Sequence, residues 1–112
     1  MGQQSIYTIK IITDGDMSSN LTSNIIDLSI TNGYAIQAVW TGSPVGNLKL
    51  QISNDENAWT DIGESVVATG GSSGSTVWLE PSAMYDKVRV VYEATSGSGT
   101  LNVKMNGKGD QN

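Results

Sequence analysis

Hydrophobic and polar residues alternate along several stretches of this 112-residue chain, and a period of two predicts β-strands. The alternation is clearest over residues 47–53, and it recurs over residues 5–12, 34–41, 87–94 and 100–106. Because alternate side chains of a strand point to opposite faces, one apolar set should form a buried core. The predicted core residues are Leu48, Leu50, Ile52, Val88, Val90, Leu101 and Val103.

Turn residues separate these stretches. Asn32-Gly33 lies between two alternating runs, and this pair tolerates the positive φ of a two-residue hairpin turn. The sequence therefore predicts a hairpin at Asn32-Gly33. Asp14-Gly15, within the polar segment 13–23, is a second predicted turn. The glycine-rich segment 69–75 is predicted to be a flexible loop. It is not predicted to be a phosphate loop, since it lacks the lysine and the following helix of that motif.

The whole chain, residues 1–112, is long enough for one domain. About eight short strands with frequent turns and no helical periodicity predict an all-β fold. We expect a single β-sandwich of antiparallel strands, jelly-roll-like in topology, with a small barrel as the alternative.

Charge narrows the range of partners. Only 15% of the residues are charged and the net charge is −5, so the surface should repel phosphate backbones, and we expect no nucleic-acid binding. The six cationic residues are scattered along the chain rather than clustered. No apolar run approaches the ~20 residues that a membrane-spanning helix needs, so no membrane partner is expected.

The chain has neither cysteine nor histidine. Thiolate ligands, cysteine nucleophiles and histidine-based triads are therefore excluded, and the absence of disulfides favours synthesis in a reducing cytoplasm. The Asp14–Asp16 and Asn54–Asn57 segments are interpreted as solvated turns rather than cation sites, because neither supplies the ligand series of a calcium loop. A glycosidase-like pair could come from the carboxylates Asp55, Glu56, Asp61 and Glu64, but so small a sandwich offers little material for a cleft. We predict no enzymatic activity, no metal site and no cofactor.

The aromatic residues offer candidate contacts. Trp40 and Tyr92 share the parity of apolar neighbours and are predicted to be buried. Trp78 alternates with Val77 and Leu79, so it faces away from them, either at the rim or as an interface anchor of the kind tryptophan often provides. The candidate protein-interface residues are Trp78 and Tyr85.

Two segments carry a family resemblance. A strand that ends in a Gln-x-Ser-x-Asp turn precedes a tryptophan, and a later Tyr-x-x-Val-Arg-Val-x-Tyr strand leads to a Gly/Ser turn and a last strand. The matching positions are Gln51, Ser53, Asp55 and Trp59, then Tyr85, Val88, Arg89, Val90 and Tyr92. Over roughly half of its length, the chain thus resembles small β-sandwich virion proteins of tailed bacteriophages.

The resemblance implies a structural role in a virion, reached after synthesis in the host cytoplasm. The expected function is capsid decoration or cementing, with the major capsid protein or other virion proteins as partners and with self-association into a homo-oligomer. The alternatives are a tail or neck accessory protein and a carbohydrate-binding module. A glycan-binding module would need at least two coplanar exposed aromatic side chains.

Overall fold

The computed structural model describes residues 3–27, 31–55, 57–62, 66–80 and 87–111. Within this part of the chain every regular element is a β-strand, and no helix occurs that is long and apolar enough to cross a bilayer. The strands are β1 (Gln3–Asp16), β2 (Leu21–Thr22), β3 (Ile26–Asp27), β4 (Thr31–Gly42), β5 (Val45–Ser53), β6 (Thr60–Asp61), β7 (Val67–Ala68), β8 (Gly74–Glu80), β9 (Lys87–Ser96) and β10 (Gly99–Gln111).

The strands form two antiparallel sheets that pack face to face. The first sheet has the order β1-β10-β4-β8. In the second sheet, β9 and β5 are central, β2 and β3 pair with the outer side of β9, and β6 and β7 pair with the outer side of β5. If β2/β3 and β6/β7 are each counted as one interrupted strand, every connection except β5–β6 passes from one sheet to the other. This is the connectivity of an eight-stranded jelly roll, and it confirms the predicted all-β sandwich.

The core lies between the inner faces of the two sheets. Of the seven predicted core residues, six are buried and the seventh, Ile52, is half-buried and packs against them. Trp40 and Tyr92 are also buried, as predicted. Where the structure describes the side chains, further buried hydrophobic residues are Ile11, Met17, Ile26, Tyr34, Ile36, Ala38 and Met105.

The predicted hairpin at Asn32-Gly33 is wrong. Both residues lie inside β4, which pairs with β10 and β8, whereas β3 belongs to the other sheet. Gly33 is opposite Lys108 and Thr31 is opposite Gly109, so Asn32 is an extra residue in the ladder. Pairing with β10 over almost the whole length of β4 overrides the local turn preference, and the Asn-Gly pair coincides with a β-bulge instead.

At Asp14-Gly15, where a turn is predicted, the structure likewise has a β-bulge. Strand β1 continues to Asp16, and its register with β10 shifts between Ile12 and Gly15. Asp14 has a φ of 51° and its backbone N–H donates to the Asn102 side chain at 3.0 Å. Aspartate tolerates the left-handed region, which explains why a turn-like dipeptide occurs within a strand.

Four inter-sheet connections meet at one end of the sandwich. The Met17 N–H donates to the Gly99 carbonyl and the Ser43 N–H donates to the Ser98 carbonyl, each at 2.9 Å. The glycine-rich segment is tied in as well, because the buried Trp40 indole N–H donates to the Ser72 carbonyl at 2.9 Å. The bond from Trp40 holds the segment that leads into β8 against the body of the domain.

Candidate interaction surface

The sheet edges differ in how they are protected from pairing with other chains. An open edge presents unpaired backbone groups, and proteins commonly shield it with bulges, charges or very short strands. In the second sheet, both edges consist of two-residue strands. In the first sheet, β1 is interrupted by register shifts on either side of Ile12 and carries Lys10, Asp14 and Asp16.

Strand β8 is neither bulged nor very short. Its seven residues pair with β4 in an unbroken register from Tyr34↔Glu80 to Trp40↔Gly74. No strand in the described part of the chain pairs with its other side. The sequence of β8 contains no proline and a single charged residue, Glu80, at its end. It is therefore the edge best suited to receive another strand.

The outer face beside this edge is apolar. Val39 on β4 is 43% exposed, and Val77 and Leu79 on β8 are 54% and 73% exposed. Val39 is opposite Ser75 in the ladder, so it is the diagonal neighbour of Val77 on the same face of the sheet. We call Val39, Val77 and Leu79 the edge patch. Because exposed apolar surface can mark an interaction site, the edge patch is a candidate contact surface.

The two residues predicted to form the interface have different outcomes. Trp78 does alternate with Val77 and Leu79, but it is half-buried and packs against the core, while its two neighbours face solvent. Its role in an interface remains a prediction. Tyr85 lies outside the described residues.

Val77 and Leu79 were not predicted to be interface residues. Both faces of residues 76–79 contain apolar side chains, so alternation alone could not identify the inner face.

The second sheet has a polar outer face, on which ion pairs and hydrogen bonds connect side chains of neighbouring strands. The Lys49 ammonium lies 2.7 Å from the Glu93 carboxylate and 3.4 Å from that of Asp61. Its pKa is raised, mainly by the hydrogen bond to Glu93. The pKa of Asp61 is lowered, mainly because Gln51 donates a hydrogen bond to it at 2.7 Å. A face whose charges are already paired has less to gain from a charged ligand.

The aromatic residues do not form a sugar-stacking platform among the side chains that the structure describes. Tyr34, Trp40 and Tyr92 are buried. The ring of Trp59 is covered by the guanidinium of Arg89, 4.3 Å from the ring centroid. Two coplanar exposed aromatic rings, the arrangement required for the glycan alternative, are therefore not found in this part of the chain.

The acidic turns use their carboxylates to hold the backbone. Asp55 Oδ1 accepts hydrogen bonds from the N–H groups of Asn57 and Ala58, each at 2.9 Å, and from the Ser53 hydroxyl at 3.0 Å. These bonds lower the pKa of Asp55, with the Ala58 N–H making the largest contribution. Asp16 accepts from the N–H and the hydroxyl of Ser18, and its pKa is lowered for the same reason.

Neither acidic turn extends into a metal centre. Among the described residues, no group of three or more carboxylates is placed to hold a metal ion. Glu56 and Glu64, the other two carboxylates considered for catalysis, lie outside the described residues. The carboxylates of Asp16 and Asp55 instead hold the backbone of their own turns.

Comparison with known proteins identifies relatives by fold alone. No protein-family model and no curated protein sequence matches the chain. Among solved structures, it is similar to a chain of infectious bursal disease virus, Gx strain, at 12% identity and a TM-score of 0.57; the alignment covers 95% of this chain but only 32% of the virus chain. It is also similar to the SPBc2 prophage-derived protein YomS, at 12% identity and a TM-score of 0.55, with 95% of each chain covered. The sandwich thus has structural neighbours from a virus and a prophage.

Proposed function

We propose that this chain is a non-enzymatic virion structural protein, most specifically a capsid decoration or cement protein that binds and stabilises neighbouring subunits. The observation that carries the proposal is the edge patch, an apolar surface beside an open sheet edge. Contact through such a surface needs shape and apolar area rather than catalytic groups. Its proposed partners are the major capsid protein or other virion proteins, and its proposed location is the virion.

The fold and the small size of the edge patch are both compatible with this function. The jelly-roll fold is shared with a virus chain and a prophage-derived protein, so it is compatible with a viral role. An edge patch of three aliphatic side chains is small, and a single contact through it would be weak. Repetition over many copies on one particle would compensate through avidity.

Copy number separates capsid decoration from the tail or neck alternative. We propose quantitative mass spectrometry of purified virions from the virus that encodes the chain. Decoration requires the protein in hundreds of copies, as a capsid lattice offers many equivalent positions. A ratio of about six or twelve copies per particle would instead assign it to the tail or neck, and absence from purified particles would refute the virion role.

A reconstitution assay tests the surface itself. Recombinant protein is added to particles that lack it, and bound protein is measured after sedimentation of the particles. We expect Leu79→Ser to lower binding at least tenfold, because it removes the most exposed apolar side chain of the edge patch. Ile25→Ser is the matched control, since Ile25 is an aliphatic residue that is 44% exposed and lies outside the patch. Equal binding by both variants would contradict the proposal that the patch is the contact surface.

A further inference from the structure

We infer that β8 pairs antiparallel with β8 of a second copy of this chain, joining the first sheets of two molecules into one continuous sheet of eight strands. This inference deepens the proposed function and rests on it for the premise that the protein works through contacts between subunits. It specifies one of these contacts, between two copies of the chain, and the register in which their strands pair. Among the described strands, the other sheet edges are interrupted or bulged, which leaves β8 as the edge able to extend a ladder.

Charge permits a second copy to occupy this edge. The chain has a net charge of −5, so two copies repel each other over most of their surfaces. Strand β8, however, carries only Glu80. In an antiparallel pair centred on Val77, each Glu80 lies opposite the Gly74 of the other copy. The two Glu80 positions are then about 20 Å apart along the strands, well beyond the screening length of ~8 Å at physiological salt.

The side-chain pattern favours the same register. Val77 is the middle residue of Gly74–Glu80, so pairing about Val77 uses all seven residues of both strands. Directly opposed residues of an antiparallel pair share a face. Val77 therefore meets its own copy on the outer face, and Leu79 meets Ser75. The edge patches of the two molecules become one apolar strip that is continuous across the two-fold axis, the self-complementary arrangement of an isologous interface.

The pairing involves only seven residues from each copy, which is less than a stable interface of standard size provides. We therefore expect self-association that depends on concentration in free solution and becomes stronger where copies are held close together. A weak contact of this kind suits a protein that is concentrated on a particle surface.

Charge-swap variants test the inference by sedimentation velocity of the isolated protein over a range of concentrations. The wild type should show a sedimentation coefficient that rises towards the dimer value. Val77→Lys and Val77→Glu should each stay at the monomer value, because like charges would face each other across the axis. An equimolar mixture of the two variants should recover the dimer. Val77 is exposed, so neither change should prevent folding, and circular dichroism checks this.

Ile25→Lys is the control for added charge and should dimerise like the wild type. A wild type that is monomeric at every concentration, or a mixture of variants that stays monomeric, would overturn the inference. Particle binding that depends on Leu79 but occurs without self-association would also overturn it, because a strand of another virion protein would then occupy the edge, while the proposed function would stand. Dimerisation without particle binding would support the inference and count against the proposed function.

Discussion

The hydroxyl of Tyr92 lies directly over the backbone of Gly46. A Cβ built on Gly46 would be 2.6 Å from Tyr92 Oη and would also collide with the carbonyl oxygen of Glu93. Both residues are buried at neighbouring positions on β5 and β9. Gly46 is thus required for close packing of the tyrosine ring rather than for an unusual φ.

Gly46→Ala should therefore destabilise the domain by about 2 kcal/mol, within the range typical of overpacked cores. The obstacle includes backbone atoms, so rotation of a side chain cannot relieve it fully. Urea denaturation followed by tryptophan fluorescence measures the change. A loss below about 0.5 kcal/mol would mean that β5 and β9 can separate without cost, contrary to the close packing of Gly46 against Tyr92.

Tyr92→Phe should have the opposite effect. The Tyr92 hydroxyl is buried and is without a hydrogen-bond partner among the described residues, so the folded state bears the cost of removing it from water. Removing an unsatisfied buried group should stabilise the domain by about 1 kcal/mol. Thermal unfolding would show a higher Tm. A clear decrease in Tm would indicate that the hydroxyl makes a stabilising contact.

Two glycines with positive φ should respond differently to alanine. Gly97 and Gly70 have φ values of 76° and 69°. A Cβ at Gly97 would collide with the Ser43 carbonyl oxygen, whereas a Cβ at Gly70 would meet nothing within 4 Å. Gly70→Ala should cost only the backbone strain of about 1 kcal/mol, and Gly97→Ala should cost at least twice as much. Equal losses in urea denaturation would contradict the close contact between Gly97 and Ser43.

Stability should fall at acidic pH. The pKa values of Asp16, Asp55 and Asp61 are lowered from 3.8 in the folded state, so the unfolded state binds more protons there. Their contribution is present above pH 3.8 and is lost as the pH falls through the lowered pKa values. Asp55→Asn keeps an acceptor in the turn but removes one titration. The difference in urea midpoint between about pH 7 and about pH 3 should therefore shrink in this variant, and an unchanged difference would contradict the role of Asp55.

Trp78 and Leu79 are neighbours in sequence, but substitution of Trp78 should affect mainly stability and substitution of Leu79 mainly self-association. Trp78 packs against the core and Leu79 is 73% exposed. Trp78→Ala should lower the Tm by several degrees through lost burial. Leu79→Ala should leave the Tm within about a degree and weaken self-association in sedimentation velocity. If Trp78→Ala leaves the Tm unchanged and Leu79→Ala lowers it, the orientation of β8 is the reverse of the one described.

The amino-acid sequence by itself determined the class of fold and most of the core. Alternation is a local property, because a strand that buries one face must place apolar residues at every second position. For that reason Leu48, Leu50, Val88 and Val90 could be identified without knowledge of their pairing partners. The absence of histidine and cysteine likewise limited the possible chemistry, because composition alone decides which nucleophiles and metal ligands a chain can offer.

Only the tertiary structure decided which strands pair and which edge stays open. Asn32-Gly33 has the composition of a hairpin turn, yet the long ladder between β4 and β10 places it at a bulge. In β8, both Trp78 and the pair Val77 and Leu79 could have faced the core, and packing against the rest of the sandwich selects the tryptophan. Strand pairing depends on residues far apart in sequence, so neither the open edge nor the apolar patch beside it could be recognised from local pattern.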